Sequence, residues 1–281
     1  MDKALDGLLL PPDAYPASIH RAMRHSVLAG GKRLRPILCI EAGKLFGGDE
    51  PTILRRACAL EMIHTYSLIH DDLPALDNDD LRRGIPTCHR AFGEATAILA
   101  GDALLTLAFE TLASPGPPGP EVNLHVIHEL AEAIGTRGGM VGGQIVDLET
   151  GEQDVDAVRL EYIHSSKTGA LIRMAVRIGG LYAGAPEQDV ERLTSYGRRV
   201  GLAFQIADDL LDVLSSSETL GKTAGKDREQ HKATYPALYG VEESRRRAFQ
   251  LVEEACEALH PYGGRAERLQ QLARFLVERT F

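Results

Sequence analysis

The sequence predicts an all-α protein, a large helical bundle, from three observations. Apolar and small residues recur at mixed three- and four-residue steps over long segments, with few strand-like alternations. These segments are rich in Ala and Leu, both good helix formers. The residues between them are breakers: Ser114–Pro120 reads SPGPPGP and cannot continue a helix.

The helical pattern runs over Ile53–His70, Glu94–Leu112, Val122–Ile134, Ala157–Leu181, Glu187–Val213, Glu242–Leu259 and Arg265–Arg279. The glycine pairs Gly30-Gly31, Gly142-Gly143 and Gly179-Gly180 mark caps, kinks or close helix approaches. No shift in composition and no repeat of solenoid period divides the 281 residues, so one domain, 1–281, is expected.

A net charge of −9 argues against a nucleic-acid partner. Anionic substrates remain open, provided that local cations or a bound metal invert the field. The four cysteines, Cys39, Cys58, Cys88 and Cys256, are scattered without a CxxC pair and are expected to be buried small hydrophobes in a reducing compartment. The opening MDKALDGLLLPP has no secretory pattern, and no uninterrupted apolar stretch reaches spanning length. A cytoplasmic protein without stable membrane insertion is expected.

Two acidic motifs stand out. In HDDLPALDNDDLRRG (residues 70–84), Asp71, Asp72 and Asp77 crowd the end of an apolar helix. A helix C-terminus is already negative, so acids there call for a compensating charge unless they form a solvated turn. In FQIADDLLDVL (204–214), Asp208 and Asp212 share a helix face beside Asp209, within an apolar run. Two carboxylate clusters on separate helices suggest a shared cation site, and oxygen-only donors point to magnesium or calcium rather than zinc. No EF-hand spacing is present, which weakens the calcium reading.

Basic clusters interleave with these motifs. GGKRLRP supplies Lys32, Arg33 and Arg35; Arg82 and Arg83 follow the first acidic motif; HSSKTG supplies Lys167 and Thr168; GKTAGKD supplies Lys222 and Lys226, with Lys232 beyond. Arginine forks suit phosphate oxygens and lysine serves as a point charge. The GxxxxGK[ST] pattern of a P-loop is absent. Two anionic groups, one held through metal and one directly, would account for the arrangement.

GGKRLRP, HTYSLIHDDLPALDNDDLRRG, GDALL, GGQIVDL, KTGAL, FQIADDLLD and the GK-GKD-K-TYP series, in this order along nearly the whole chain, resemble the polyprenyl synthetase family, the trans-prenyl diphosphate synthases. The resemblance implies a helical bundle around a deep central cavity, usually as a homodimer. It implies that Asp71, Asp72, Asp77, Asp208, Asp209 and Asp212 hold magnesium (Mg2+) ions that bind an allylic diphosphate, contacted also by Arg82, Lys167 and Lys222. It implies that Lys32, Arg35, His64 and Arg83 hold the diphosphate of isopentenyl diphosphate. Thr168, Phe204 and Gln205 match further active-site positions, Gln144 and Asp147 a pocket-lining motif, and Lys232 the lysine before TYP. Some relatives close the second diphosphate site with a basic C-terminal tail; this chain ends VERTF, with Arg279 the one cation there.

The implied reaction is head-to-tail condensation of the two diphosphates. Tyr66 and Ser67, five and four residues before Asp71, match the positions that set product length, and a tyrosine there resembles bacterial farnesyl diphosphate synthases. A fifteen-carbon product is therefore expected, with geranylgeranyl diphosphate as the alternative. A class I terpene cyclase would have no use for the second cationic cluster and would usually carry Asn and Ser or Thr in its second motif. A non-catalytic partner subunit tends to lose aspartates that are present here.

Overall fold

The computed structural model describes residues 1–150, 156–218 and 234–278, with backbone alone for 215–218. The described residues are almost wholly helical. Helices α1 (Asp2–Leu8), α2 (Ala17–Val27) and α3 (Leu34–Leu45) lead into the long α4 (Glu50–Asp71). A two-stranded hairpin follows, β1 (Leu81–Arg82) and β2 (Ile85–Pro86), and then α5 (Cys88–Phe92), α6 (Glu94–Ala113), α7 (Pro120–Ile134), α8 (Met140–Thr150) and α9 (Ala157–Ile163). A π-helical turn, His164–Gly169, joins α9 to α10 (Ala170–Tyr182). The chain continues as α11 (Glu187–Glu218), α12 (Tyr235–Tyr239), α13 (Val241–Ala258), a 3-10 segment (His260–Ala266) and α14 (Glu267–Glu278).

Helix α4 shows why the sequence folds this way. Asp49 caps its N-terminus, its carboxylate accepting the Thr52 N–H at 3.0 Å, and Pro51 occupies the first turn, where its missing N–H costs nothing. Buried residues then surround the helix on every side, from Ile53 and Ala57 to Leu60, Met62, Ile63 and Ile69. A helix apolar all round belongs in the interior. It packs on α3 and α6; α3 packs in turn on α10, α10 on α11, and α11 on α13. The chain leaves α4 at Asp72, two residues before Pro74, as the restriction before proline requires.

Most expected helices are present with ends shifted by a few residues. One differs in kind: the single helix expected over Ala157–Leu181 is broken by the π-helical turn at HSSKTG. The start expected at Arg265 falls in the 3-10 segment, with α14 beginning at Glu267. Gly142-Gly143 and Gly179-Gly180 lie inside helices, at close approaches. All four cysteines are buried and unpaired. Among the described residues, α6 is the one helix long and apolar enough to cross a membrane by length and composition; 39% of that window is buried in the fold, and α6 packs along α4.

Candidate active site

The first acidic motif is folded back on itself at the end of α4. The Asp77 N–H donates to the Asp71 carbonyl at 2.8 Å, which returns Asp77 beside Asp71, and Asn78 takes the left-handed conformation that asparagine tolerates. Asp72 is buried, 3% exposed, and receives Arg82 through Nε at 2.9 Å and through Nη2; Arg82 also reaches Asp79 at 3.2 Å. Burial pushes the Asp71 carboxyl up to about 6, against the attraction of Lys167 and with the repulsion of Asp77. Asp71 is thus an under-compensated carboxylate at the negative end of a helix dipole.

A stability consequence follows. A carboxyl whose folded pKa is raised contributes its stability below the unfolded pKa, near 3.8, and loses it as pH rises through about 6. Asp71→Asn is expected to stabilise the metal-free protein by on the order of 2 kcal/mol at pH 8. The gain should vanish near pH 4, as read by thermal unfolding in EDTA at the two pH values.

Lys167 reaches this motif from the π-helical turn. Its ammonium donates to Asp147 Oδ2 at 2.7 Å, and Asp71 and Asp77 raise its pKa further against the cost of burial. Gly143 of α8 makes the approach possible, because a Cβ there would lie 2.8 Å from Lys167 Cα and closer still to its backbone nitrogen. Thr168, in the same turn, is half-buried. An extra residue per turn, as in a π-helix, re-aims side chains and is frequent at functional sites.

The second motif divides into roles the sequence does not separate. Asp208 is half-buried, and its charge supports the cationic form of Arg35. Asp212 is exposed. Asp209 faces inward, 6% exposed: it accepts the Tyr235 backbone N–H at 2.9 Å and Gln205 Nε2 at 3.2 Å, and His164 Nε2 lies 3.3 Å away. Burial raises Asp209 to about 7 and lowers His164 to about 4, so the histidine is neutral at pH 7. Asp209 therefore ties α12 and the π-helical turn to α11. Phe204, one turn before Asp208, packs partly buried against the core. Lys222, Lys226 and Lys232 lie outside the described residues.

The cationic cluster is assembled from three segments. Lys32 is exposed. Arg33 turns inward, 7% exposed, and pairs with Glu61 Oε1 at 2.6 Å, Val27 O at 2.8 Å and Asp2 at 3.0 Å. Arg35 is held down to about 10 by burial, opposed by Glu61 and Asp208, and its Nε is buried without a hydrogen-bond partner among the described residues. His64 is driven well below 6.5 by burial and by Arg35, Arg83, Arg82 and Arg33, so it is neutral. Arg83 occupies the hairpin turn with Gly84, both at positive φ (55° and 80°), as a type I′ turn requires. From that strained position it donates to Gly30 O, and its guanidinium lies where a Cβ on Gly31 would be, 2.5 Å from Cζ. Gly31 is needed both for this space and for its own φ of 121°.

Sequence reasoning passed over Glu61 and His164. The signal for Glu61 was a single acid inside the apolar run ACALEMI; for His164 it was a histidine three residues before Lys167. Tyr66 is buried, its ring edge-on to His70 at 5.6 Å between centroids, and Ser67 Oγ donates to the His64 carbonyl at 2.9 Å. Gln144 is half-buried on α8.

The donor set suits a hard divalent cation shared with a phosphate. It offers carboxylate oxygens, with Asp71 under-compensated. Among the described residues no three His, Cys, Asp or Glu side chains converge into a ready-made cage. This fits magnesium, which is usually held by one or two carboxylates together with substrate phosphates rather than by protein alone. The orphaned Arg35 Nε is a donor in want of an anion.

The sequence profile of the polyprenyl synthetase family matches residues 16–266. The chain is 51% identical over 269 residues to a dimethylallyltranstransferase of Fischerella ambigua (strain UTEX 1903), covering 95% of this chain and 77% of the relative. It is 50% identical over 268 residues to the chloroplastic geranylgeranyl pyrophosphate synthase 7 of Arabidopsis thaliana, covering 94% and 77%. The crystal structure of an FPP/GFPP synthase from Zymomonas mobilis, in its apo form, superposes with a TM-score of 0.88 at 41% identity, covering 98% of this chain and 94% of that one. An almost wholly helical fold, acidic motifs at the end of α4 and on α11, and a profile match spanning most of the sequence make this chain a prenyltransferase of the polyprenyl synthetase family.

Proposed function

We propose that the protein condenses isopentenyl diphosphate head to tail with dimethylallyl or geranyl diphosphate, in the presence of magnesium, to give farnesyl diphosphate. The observation that carries the reading is the pairing of opposite fields: under-compensated Asp71 beside Lys167, and an arginine cluster with an unsatisfied buried donor that feels Asp208.

The residues divide the work. Asp71, Asp77, Asp208 and Asp212 would hold the metal, and Asp72 and Asp209 would act from behind them through Arg82 and Tyr235. Magnesium, when bound, supplies charge neutralisation to the departing diphosphate. Lys167 stabilises the same negative charge as the allylic carbon–oxygen bond breaks. Arg35, Arg83, Lys32 and neutral His64 hold the second diphosphate, so that the isopentenyl double bond meets the allylic cation within one site. A proton is then lost from the product, with the released diphosphate as acceptor; water, which would capture the cation, has to be kept out of the site. Incubating purified protein with radiolabelled isopentenyl diphosphate and an allylic partner, with and without EDTA, tests the reading. Product without magnesium, or none with it, would overturn it.

Tyr66 supports the fifteen-carbon product, since its buried ring lies on the helix that ends in Asp71. The named activity of the Arabidopsis relative favours a second reading, geranylgeranyl diphosphate as product. A homodimer is part of the proposal, supported by Ile98 and Leu99 exposed on α6 and Leu124 on α7. Sedimentation should give twice the chain mass. The reading also places the protein in the cytoplasm.

The two diphosphate sites should separate by mutation. Arg83→Ala or Lys32→Ala is expected to weaken isopentenyl diphosphate binding by roughly 1.5–3 kcal/mol, with a smaller effect on the allylic substrate. Arg82→Ala should do the reverse and should also release Asp72, its partner in the structure. Separate titrations of the two substrates check this, and equal effects of all three substitutions on both would defeat the assignment.

A further inference from the structure

We propose that Glu61 is a positioning residue for the isopentenyl diphosphate site, a buried carboxylate that fixes the arginines meeting the diphosphate. The proposal rests on the assignment of Lys32, Arg35, His64 and Arg83 to that site.

Glu61 lies on α4, 1% exposed, one helical turn before His64. Three arginines from two other segments surround it. Arg33 Nη1 donates to Oε1 at 2.6 Å, Arg83 Nη2 lies 3.9 Å from the same oxygen, and Glu61 is the foremost charge that keeps Arg35 and Arg83 cationic against the cost of burial. Arg33 spends its other donors on Val27 O and Asp2, so it faces away from any ligand and serves as the partner that makes a buried Glu61 tolerable. Arg83, on its strained hairpin turn, and Arg35, with an unsatisfied Nε, are left to face a ligand. Without Glu61, three guanidiniums would repel one another at close range with no buried counter-charge, and Arg83, still bonded to Gly30 O, would lose its ion-pair partner.

Two effects of the carboxylate on ligand binding have opposite signs. As bare charge it repels a diphosphate, so neutralising it would tighten binding. As an anchor it holds the cations in place, so neutralising it weakens binding. A role in core stability alone would change neither.

The test is Glu61→Gln in the full chain with magnesium, reading KM for isopentenyl diphosphate, KM for geranyl diphosphate and thermal unfolding. Calorimetric titration with isopentenyl diphosphate alone gives a readout independent of turnover. The expected result is isopentenyl diphosphate binding weakened about tenfold or more, with KM for geranyl diphosphate within about twofold of wild type. If Glu61→Gln fails to fold because Arg33 is stranded, the same measurements pass to the double variant Arg33→Met/Glu61→Leu, which replaces the buried pair by apolar side chains. Unchanged or tighter isopentenyl diphosphate binding in a folded variant overturns the proposal. Arg83→Ala is measured alongside. If it weakens isopentenyl diphosphate binding and Glu61→Gln does not, the role of Glu61 fails alone; if neither does, the site assignment fails and this proposal with it.

Discussion

Asp71→Ala and Asp208→Ala are each expected to lower turnover by about a hundred- to a thousandfold, the loss typical of removing one group that stabilises developing charge. The fold should persist. Asp71 ends α4 after the last buried turn, where removing a carboxylate relieves repulsion from Asp77 and from the helix dipole. Asp208 lies on α11 between buried Ala207 and the Asp209 anchor, and its replacement leaves the Asp209 bonds to Tyr235 and Gln205 untouched. Turnover at saturating substrates across a magnesium series, with circular dichroism and thermal unfolding as controls, checks this. Near-normal turnover in either variant at saturating magnesium would mean that the two motifs do not share the ionisation step. The loss should differ from that of Asp209→Ala, which strips the Tyr235 N–H of its acceptor and should lower thermal stability as well.

That contrast shows where sequence was informative and where it was not. The helices were legible because α4, α6, α7 and α11 are long runs of apolar and small residues without strand-like alternation, although the Asp49 cap was not read and the expected start at Ile53 falls inside α4. The acidic motifs were legible because carboxylates in apolar runs conflict with local physics and so point to a ligand. Their internal division was not: Asp208 and Asp209 are adjacent, and only the return of the chain at Tyr235 decides that the second is used inward. The cluster GGKRLRP likewise reads as three equivalent cations, yet Arg33 is spent on Glu61, 28 residues away in sequence. The hairpin escaped notice because two-residue strands have no period to detect, and its turn places Arg83, rather than the usual Asn or Asp, at positive φ. The π-helical turn that carries Lys167 has the composition of an ordinary helix interrupted by glycine.

Tyr66→Ala is expected to move the main product from fifteen carbons to twenty or longer. In the proposed reaction the prenyl chain would grow away from a diphosphate held at Asp71, and Tyr66, five residues earlier on the same helix, lies about 7.5 Å back along its axis. Its ring is 8% exposed and edge-on to His70, whose own ring is seated against Gly101 of α6, where no Cβ would fit. The tyrosine is thus backed by His70 at the interface of α4 and α6, and pushing it aside would crowd that interface. Alanine removes the ring and leaves room along α4, while Ser67, bonded to the His64 carbonyl, stays in place. Chromatography of the products from dimethylallyl and geranyl diphosphate gives the chain length directly. A wild type that already makes mainly the twenty-carbon product would show that the floor lies deeper than Tyr66, and would favour the activity named for the Arabidopsis relative. A fifteen-carbon wild type whose Tyr66→Ala variant still stops at fifteen would place the barrier on another helix.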